Sequence, residues 1–299
     1  MTETTTPSAP ARSTGVRRIT LDADGTTLSG LLSEPAQLPP RAVVVALHGG
    51  GITSGYFDGQ AHPDVSLLTL GAALGFTVLA LDRPGYGASA DRHPGGLPLD
   101  EQAATVRVGL TEFAARHATG AGYFLLGHSW GGLLTLTLAA DAELAASCVG
   151  LEVSGCGRRL APEPEGDDQD RDLLLMLRNW GPRELYPPGT MFTTQADLAP
   201  MPVRELAAVI AWTRRCDDVL ARIRIPARVT FAEHEAWWAQ SDDDLAALAS
   251  RLGAAPRVVV DRQPAAGHNV SLGRTARAYH LKVLGFLEEC LNQRGSGKP

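Results

Sequence analysis

Several features that mark other protein classes are scarce in this chain of 299 residues. Its four cysteines are scattered and form no Cys-x-x-Cys pair, which argues against a zinc site or a disulfide framework and favours free thiols in a reducing cytoplasm. No run of about 18 apolar residues occurs, so we expect no membrane-spanning helix. The formal net charge of -6 disfavours nucleic acid and anionic membranes as partners.

Both ends of the chain lack the patterns of folded or targeting segments. Residues 1–15 have neither a basic start nor an apolar segment, which predicts a disordered tail and not a secretory signal. Residues 293–299 form a second polar tail. The chain between them is long enough, at 44% hydrophobic residues overall, to bury one large core or a core with a small accessory domain.

Apolar runs alternate with helical patterns along most of the chain. A hairpin is predicted first, with strands at 16–22 and 28–33 joined at Asp24-Gly25. Further strands are predicted at 42–47, 76–81, 122–127, 147–153, 227–232 and 257–260. Helices are predicted at 63–74, 99–117, 133–140, 242–252 and 270–291. This alternation predicts an α/β core, residues 16–154 and 225–292, with a doubly wound and mostly parallel sheet.

The alternation is interrupted between the two parts of the core. Residues 155–224 contain no convincing strand; an acidic connection (162–172) is followed by an apolar segment (173–180) and a helix at 202–223. That helix carries one broad apolar stripe, made of Leu206, Val209, Ile210, Cys216, Val219 and Leu220. Because long insertions inside compact domains are usually functional, we predict a helical cap or lid here.

A Gly-x-Ser-x-Gly motif stands at residues 127–131, where an apolar run gives way to an apolar helix. Strand, sharp turn and helix are the context in which this motif forms a nucleophile elbow. Its glycines remove side chains where strand and helix approach, and the strained turn exposes the hydroxyl of Ser129. The motif therefore predicts Ser129 as a nucleophile.

A serine nucleophile needs a base, and the base needs an orienting acid. In this chain order the acid comes next and then a histidine, each after a later strand. His268 lies in a short Gly-containing loop after the last predicted strand and is the candidate base. His48 and His128 are rivals, although each sits in a backbone-shaping motif where a structural role is expected; His234 could line the site.

Residues 16–292 closely resemble the α/β-hydrolase fold family. The resemblance rests on His-Gly-Gly-Gly at 48–51, Asp-Arg-Pro-Gly-Tyr-Gly-Ala-Ser at 82–89, the elbow, and Gly-His-Asn at 267–269. It implies an eight-stranded, mostly parallel sheet with a cap after the sixth strand. Members similar in these respects include esterases, thioesterases, lactonases, C–C bond hydrolases and proline iminopeptidases.

The resemblance also implies where the remaining site residues lie. Many relatives place a carboxylate a few residues past the seventh strand, which corresponds to Glu235 here, with Glu233 as the main alternative. Two N–H groups are expected to form the oxyanion hole, one from Trp130 just past the nucleophile and one from Gly50 after the third strand. Four tryptophans near the cap and the acid loop hint at an apolar, aromatic-lined pocket: Trp180, Trp212, Trp237 and Trp238.

These residues predict a serine hydrolase that cleaves an ester, thioester or lactone of a small, largely apolar molecule. Neither a metal nor an organic cofactor is implied, and the oligomeric state stays open. Three alternatives remain open as well. The same pocket could serve a non-hydrolytic cyclase, acyltransferase or lyase, a peptidase similar to proline iminopeptidases, or a ligand-binding receptor, although a receptor has no use for an intact triad.

Overall fold

The computed structural model of the chain describes residues 12–162 and 171–295. Most of the predicted N-terminal tail, the core of the acidic connection at 163–170 and the last four residues lie outside the described residues. Residues 12–15 of the predicted tail are described, and Arg12 there forms an ion pair with Asp197.

Within the described residues, eight strands form one sheet. They are β1 (Val16–Ala23), β2 (Thr26–Ser33), β3 (Val43–Leu47), β4 (Thr77–Leu81), β5 (Tyr123–His128), β6 (Cys148–Ser154), β7 (Ala227–His234) and β8 (Val258–Gly267). Their order is β1-β2-β4-β3-β5-β6-β7-β8. The β1–β2 and β2–β4 pairs are antiparallel and all others are parallel. The mostly parallel α/β sheet is therefore confirmed.

The central strands are buried on both faces, as their continuous apolar sequences predict. In β3 all five residues are buried, with Val43, Val45 and Leu47 in one apolar cluster and Val44 and Ala46 in the other. Side chains of a strand alternate between the faces, so each face needs its own helical layer.

Helices supply these two layers. They are α1 (Leu67–Ala73), α2 (Leu99–Arg116), α3 (Trp130–Ala139), α4 (Ala142–Ala146), α5 (Arg171–Trp180), α6 (Thr190–Thr194), α7 (Val203–Leu220), α8 (Asp242–Arg251) and α9 (Ala276–Gly295). Buried side chains of α2, α3, α7 and α8 join one cluster, and those of α1 and α9 join the other. None of the helices within the described ranges is both long and apolar enough to cross a bilayer. All four cysteines are buried and unpaired.

The insertion between β6 and β7 carries α5, α6 and α7. It is helical, as predicted, but the apolar stripe predicted on α7 is only partly right. Cys216, Val219 and Leu220 are buried, whereas Leu206 and Ile210 are exposed, 62% and 60% respectively. The last turns of α7 pack against the core, and the first turns present these apolar side chains outward. Periodicity alone does not distinguish the two situations.

Other elements also differ from the sequence-based expectation. The predicted helix 63–74 divides into a 3-10 turn at Pro63–Val65 and α1. The short helix α4 was not predicted between the elbow helix and β6. The last strand runs on to Gly267, and a register shift against β7 between Ala232 and His234 accommodates the added residues. The predicted helix 270–291 divides into a single 3-10 turn at Val270–Leu272 and α9. Proline and glycine are disfavoured in strand interiors, so Pro264 and Gly267 give no local signal for the extension of β8.

A carboxyl group is buried in the sheet beside α9. Glu152 of β6 has no solvent exposure; its Oε1 accepts a hydrogen bond from the Tyr279 hydroxyl at 3.2 Å, and its Oε2 lies 3.3 Å from Arg228 Nε. Arg228 is shared with Asp261, whose Oδ2 lies 2.7 Å from Arg228 Nη2. Burial outweighs the nearby guanidinium and raises the pKa of Glu152 to about 7.

This raised pKa predicts a pH-dependent contribution to stability. In the folded protein Glu152 keeps its proton to a higher pH than in the unfolded chain, so its contribution is full below about pH 4.5 and is lost as the pH rises through about 7. Glu152→Gln removes this titration. Between pH 5 and pH 8 the free energy of unfolding of the variant should therefore gain roughly 2 to 3 kcal/mol relative to the wild type. Urea denaturation at both pH values measures this, with the exposed Glu143→Gln as control; parallel pH profiles for wild type and Glu152→Gln would contradict the prediction.

Candidate active site

Ser129 occupies a strained turn at the carboxyl end of the central strand β5. Its φ of 52° and ψ of -120° lie outside the regions that L-residues commonly adopt. Glycines on either side make the turn possible: a Cβ at Gly131 would lie 2.2 Å from the Leu47 carbonyl oxygen, and one at Gly127 would lie 2.3 Å from Thr135 Oγ1. The backbone N–H of Ser129 donates to the Ser154 carbonyl oxygen at 2.8 Å. The predicted strand, sharp turn and helix are confirmed.

His268 lies just beyond β8 and contacts Ser129. Its Nε2 is 3.0 Å from Ser129 Oγ, and its Nδ1 is 2.7 Å from Glu235 Oε2. Since an ionised carboxylate only accepts hydrogen bonds, these contacts assign the proton to Nδ1 and leave Nε2 free to accept from the serine hydroxyl. The structure thus brings together the three residues that the sequence proposed.

The two candidate acids have different partners. Glu235 follows β7, its carboxylate is fully buried, and its second oxygen accepts from the Trp237 N–H at 2.8 Å. Glu233 points instead to the bulge in β8, where its Oε2 accepts from the N–H of Ala265 at 2.6 Å. Ala265 has a positive φ of 49°, so Glu233 supports a strained turn and does not contact His268.

The rival histidines are held by other groups. His48 Nδ1 is 2.8 Å from the Gly49 carbonyl oxygen, its Nε2 accepts from the Arg83 N–H at 3.0 Å, and burial lowers its pKa to about 3. His128 stacks on Tyr56, with ring centroids 4.5 Å apart, and its Nδ1 lies 3.1 Å from Ser154 Oγ. Burial lowers the pKa of His128 well below its usual value, so it stays neutral beside the His268 ring. His234 is exposed at the end of β7, away from the cavity lining.

The loop after β3 lies directly against the elbow. A Cβ at Gly49 would be 3.2 Å from Ser129 Cβ, which is closer than most Cβ contacts, so glycine allows this approach without displacing the elbow. The Gly51 N–H is already occupied, because it donates to the Tyr86 hydroxyl at 3.0 Å. The N–H groups of Gly50 and Trp130 donate to no acceptor within the described residues. They are the two donors that the sequence proposed for an oxyanion.

A cavity of about 180 Å³ opens above Ser129. It is lined by the three glycines after His48 and by Ile52, His128, Ser129, Asn179, Trp180, Leu198, His268 and Asn269. Asn179, Trp180 and Leu198 belong to the insertion, which therefore forms one wall.

The tryptophans differ from the expected aromatic lining. Within the described chain only Trp180 lines this cavity. Trp212 and Trp238 are buried in the core, and the indole N–H of Trp237 donates to Asn179 Oδ1 at 3.0 Å. The pocket wall from the insertion thus combines an amide with apolar groups.

Sequence reasoning missed the polar side chains that surround this site. Asn179 belongs to no motif, and Asn269 served only as part of the family marker at 267–269. The Asn269 side chain donates to the Asn179 carbonyl oxygen at 2.8 Å. The motif at 82–89 served as a family marker, but the contacts of its Arg83 and Tyr86 side chains were not foreseen. No group of three or more possible metal ligands occurs in the described ranges.

The family model described as the alpha/beta hydrolase family matches residues 44–279. The chain belongs to this family. The matched region includes all but the first residue of β3, the elbow, the insertion and the loop that carries His268, so it contains every site residue named above. The predicted family and fold are thereby confirmed, and the site can be described as that of a member of a hydrolase family.

Solved structures share this fold over nearly the whole chain. A thermostable carboxyl esterase from Bacillus coagulans in complex with glycerol has a TM-score of 0.66 at 15% identity and covers 93% of this chain and 100% of its own. A soluble variant of monoglyceride lipase from Saccharomyces cerevisiae, in complex with a substrate analogue, has a TM-score of 0.68 at 14% identity, with coverage of 93% and 96%. A thioesterase domain from the curacin biosynthetic pathway has a TM-score of 0.63 at 15% identity, with coverage of 90% and 99%. The comparison with curated proteins finds no match. At these identities the likeness establishes the fold.

Gly155, in the loop after β6, leaves the space that the imidazole of His268 occupies. Gly155 has a φ of +59°, and a Cβ there would lie 2.8 Å from His268 Cε1. Gly155→Ala should therefore displace the imidazole and lower the rate of p-nitrophenyl acetate hydrolysis by at least about 10-fold, since a shift near 1 Å can cost about 100-fold.

Gly189→Ala provides the matched control for this substitution. Gly189 has a similar positive φ of +84° but no atom within 4 Å of its Cβ position. Both variants should lose about 1 kcal/mol or more of stability from the backbone conformation, measured by urea denaturation. Equal hydrolysis rates for the two folded variants would contradict the prediction.

Proposed function

We propose that this chain is a serine hydrolase that acts on an ester or thioester, including lactones, of a small and largely apolar molecule. The observation that carries the proposal is the unbroken hydrogen-bond path from Ser129 through His268 to Glu235, with distances of 3.0 Å and 2.7 Å. Nucleophile, base and orienting acid in hydrogen-bond contact are the arrangement that acyl transfer requires.

In the proposed mechanism the Ser129 hydroxyl attacks the substrate carbonyl while its proton passes to His268 Nε2. The Glu235 carboxylate stabilises the imidazolium and holds its orientation. The N–H groups of Gly50 and Trp130 donate hydrogen bonds to the carbonyl oxygen as negative charge develops on it. His268 then returns the proton to the leaving alcohol or thiol, and a water molecule releases the acyl group by the same steps in reverse.

The cavity supports a small substrate. Its volume of about 180 Å³ is below the roughly 300 to 1,000 Å³ that accommodates drug-sized ligands. Ile52, Trp180 and Leu198 offer apolar contacts to an acyl chain. We propose that the insertion, residues 155–224, acts as a cap that forms part of the substrate site. This proposal requires no metal, organic cofactor or macromolecular partner.

The direct test uses a fluorophosphonate probe and intact-mass measurement. Wild-type protein should gain the mass of one probe and Ser129→Ala should not, because the alanine variant lacks the attacking oxygen. The hydrolysis of p-nitrophenyl esters should fall by at least about 1,000-fold in Ser129→Ala, since the triad acts as a unit.

Two further measurements sharpen that test. The exposed Ser250→Ala on α8 serves as control and should label like the wild type. Hydrolysis in water enriched in oxygen-18 should place the label in the free acid, whereas acyl transfer or cyclisation releases no labelled acid. Turnover by a folded Ser129→Ala variant at the wild-type rate would refute the assignment.

The two glutamates provide a separate test of the acid. In Glu235→Gln, the single amide oxygen cannot accept hydrogen bonds from both the Trp237 backbone N–H and His268 Nδ1. The value of kcat should therefore fall by roughly 1,000- to 10,000-fold. In Glu233→Gln, the amide oxygen can still accept from Ala265, so kcat should change by less than about 10-fold. Steady-state kinetics on one p-nitrophenyl ester measures both variants. The reverse ranking would transfer the orienting role to Glu233.

A further inference from the structure

An ion pair without solvent exposure lies beside the proposed oxyanion hole. Arg83, in the loop after β4, contacts the carboxylate of Glu205 in the first turn of α7, and both side chains are fully buried. Arg83 Nη2 lies 3.1 Å from Glu205 Oε2, and Nη1 donates to Glu205 Oε1. Removing two charges from water is costly, so such a pair is weak evidence for a purely stabilising role.

Two further donors of Arg83 reach the loop after β3, while its Nη1 also donates to Gln102 Oε1 at 3.2 Å. Its Nε donates to the His48 carbonyl oxygen at 2.8 Å, and its Nη2 donates to the Gly49 carbonyl oxygen at 3.0 Å. The Gly49 carbonyl oxygen also accepts a hydrogen bond from His48 Nδ1 at 2.8 Å. This carbonyl and the N–H of Gly50 belong to the same planar peptide group and point in opposite directions. Two donors on the carbonyl therefore determine where the Gly50 N–H points.

Tyr86 connects the same carboxylate to the next peptide group. Its hydroxyl donates to Glu205 Oε2 at 2.8 Å and accepts from the Gly51 N–H at 3.0 Å. Burial raises the pKa of Tyr86, which keeps this donor protonated. Gly51 has a positive φ of 74°, so this contact fixes the turn that follows Gly50.

The second proposed oxyanion donor is held by the same group of residues. The Arg83 guanidinium lies over the Trp130 ring, 4.3 Å from its centroid, and over the Tyr86 ring at 4.7 Å. The Trp130 indole N–H donates to the backbone oxygen of Glu205 at 3.2 Å. Both backbone donors thus belong to segments that contact Glu205 or its partner Arg83.

The insertion contacts this loop at a second place. Ala199 N–H donates to the Gly51 carbonyl oxygen at 3.0 Å, and Thr53 N–H donates to the Asp197 carbonyl oxygen at 2.9 Å. The loop after β3 is therefore held on one side by Arg83 and Tyr86 and on the other by residues 197–199. Glu205 is the charged group of the insertion that balances Arg83 in this arrangement.

We propose that Glu205 is a positioning residue that, through Arg83 and Tyr86, orients the Gly49–Gly50 peptide so that its N–H faces the oxyanion formed at Ser129. This inference rests on the serine hydrolase function proposed above. It assigns the insertion a part in the chemical step, in addition to lining the cavity. Because the oxyanion exists only in the transition state and the tetrahedral intermediate, a loss of orientation should lower kcat and leave KM largely unchanged.

The test compares Glu205→Gln and Tyr86→Phe with Asp217→Asn. Asp217 also lies on α7 and forms an ion pair with Arg158 at 2.7 Å, but it makes no contact with the loop after β3. Removing one oxyanion donor costs about 100- to 1,000-fold in kcat. Glu205→Gln should lower kcat on p-nitrophenyl acetate by about 10- to 100-fold, with KM changed less than about 3-fold. Tyr86→Phe should lower kcat by a smaller factor, and Asp217→Asn should keep the wild-type kcat.

Inhibition by 1,1,1-trifluorobutan-2-one provides a measurement that a loss of protein stability alone does not change. This ketone forms a tetrahedral adduct with a serine and needs the oxyanion hole, whereas unfluorinated butan-2-one does not. The inhibition constant of the trifluoroketone should rise in Glu205→Gln by about the same factor by which kcat falls. The inhibition constant of butan-2-one should stay unchanged. An unchanged kcat and an unchanged trifluoroketone constant in the folded variant would overturn the proposal.

A double variant addresses the case in which Glu205→Gln leaves Arg83 unpaired and fails to fold. Arg83→Met with Glu205→Leu removes both charges, and apolar replacement of a buried pair often preserves stability. A positioning role predicts a folded double variant with low kcat and weak trifluoroketone inhibition, whereas wild-type values for both would overturn it. Fluorophosphonate labelling of the wild type separates the two proposals: its absence would refute the hydrolase function, and its presence with unchanged variant kinetics would refute only the role of Glu205.

Discussion

The backbone strain at Ser129 is the constraint on which the arrangement of the site depends. A non-glycine residue holds a positive φ only where its surroundings leave no alternative. Here β5 is paired on both sides, by β3 and β6, and α3 starts at once behind the turn. The neighbouring glycines let α3 approach the ends of these strands within contact distance. A fully buried strand thereby supports one hydroxyl that lines the cavity, and the loops after β3, β7 and β8 supply its partners.

Two buried ion pairs, Glu152 with Arg228 and Glu205 with Arg83, have different surroundings. Glu152 meets Arg228 without a good hydrogen bond, and burial raises its pKa to about 7. Arg83 and Glu205 instead have hydrogen-bond partners on several sides, including backbone carbonyls and the Tyr86 hydroxyl. A well-partnered buried charge orders the groups around it. This difference is the reason why we assign the second pair, and not the first, to the function of the site.

The insertion is joined to the core too closely to act as a detachable cover. Trp212 of α7 is buried in the apolar cluster of the core, and Arg215 on the same helix forms an ion pair with Asp100 of α2 at 2.7 Å. Its Asn179, Trp180 and Leu198 line the cavity, and Glu205 reaches the loop after β3. Side chains exposed at the start of α7 leave one face of the insertion apolar. Cavity shape and loop orientation therefore depend on the same segment.

The sequence by itself determined the sheet, the elbow at Ser129 and the choice of His268, because hydrophobic period, glycine placement and chain order are local or sequential signals. The choice between Glu235 and Glu233 needed the tertiary structure, since a register shift in β8 directs one carboxylate to His268 and the other to Ala265. The predicted apolar stripe of α7 is buried only in the last turns, where the helix packs against the core. The contact of Arg83 with Glu205 joins residues 122 positions apart. No local pattern encodes such a pairing, because it depends on how the insertion packs against the loops of the core.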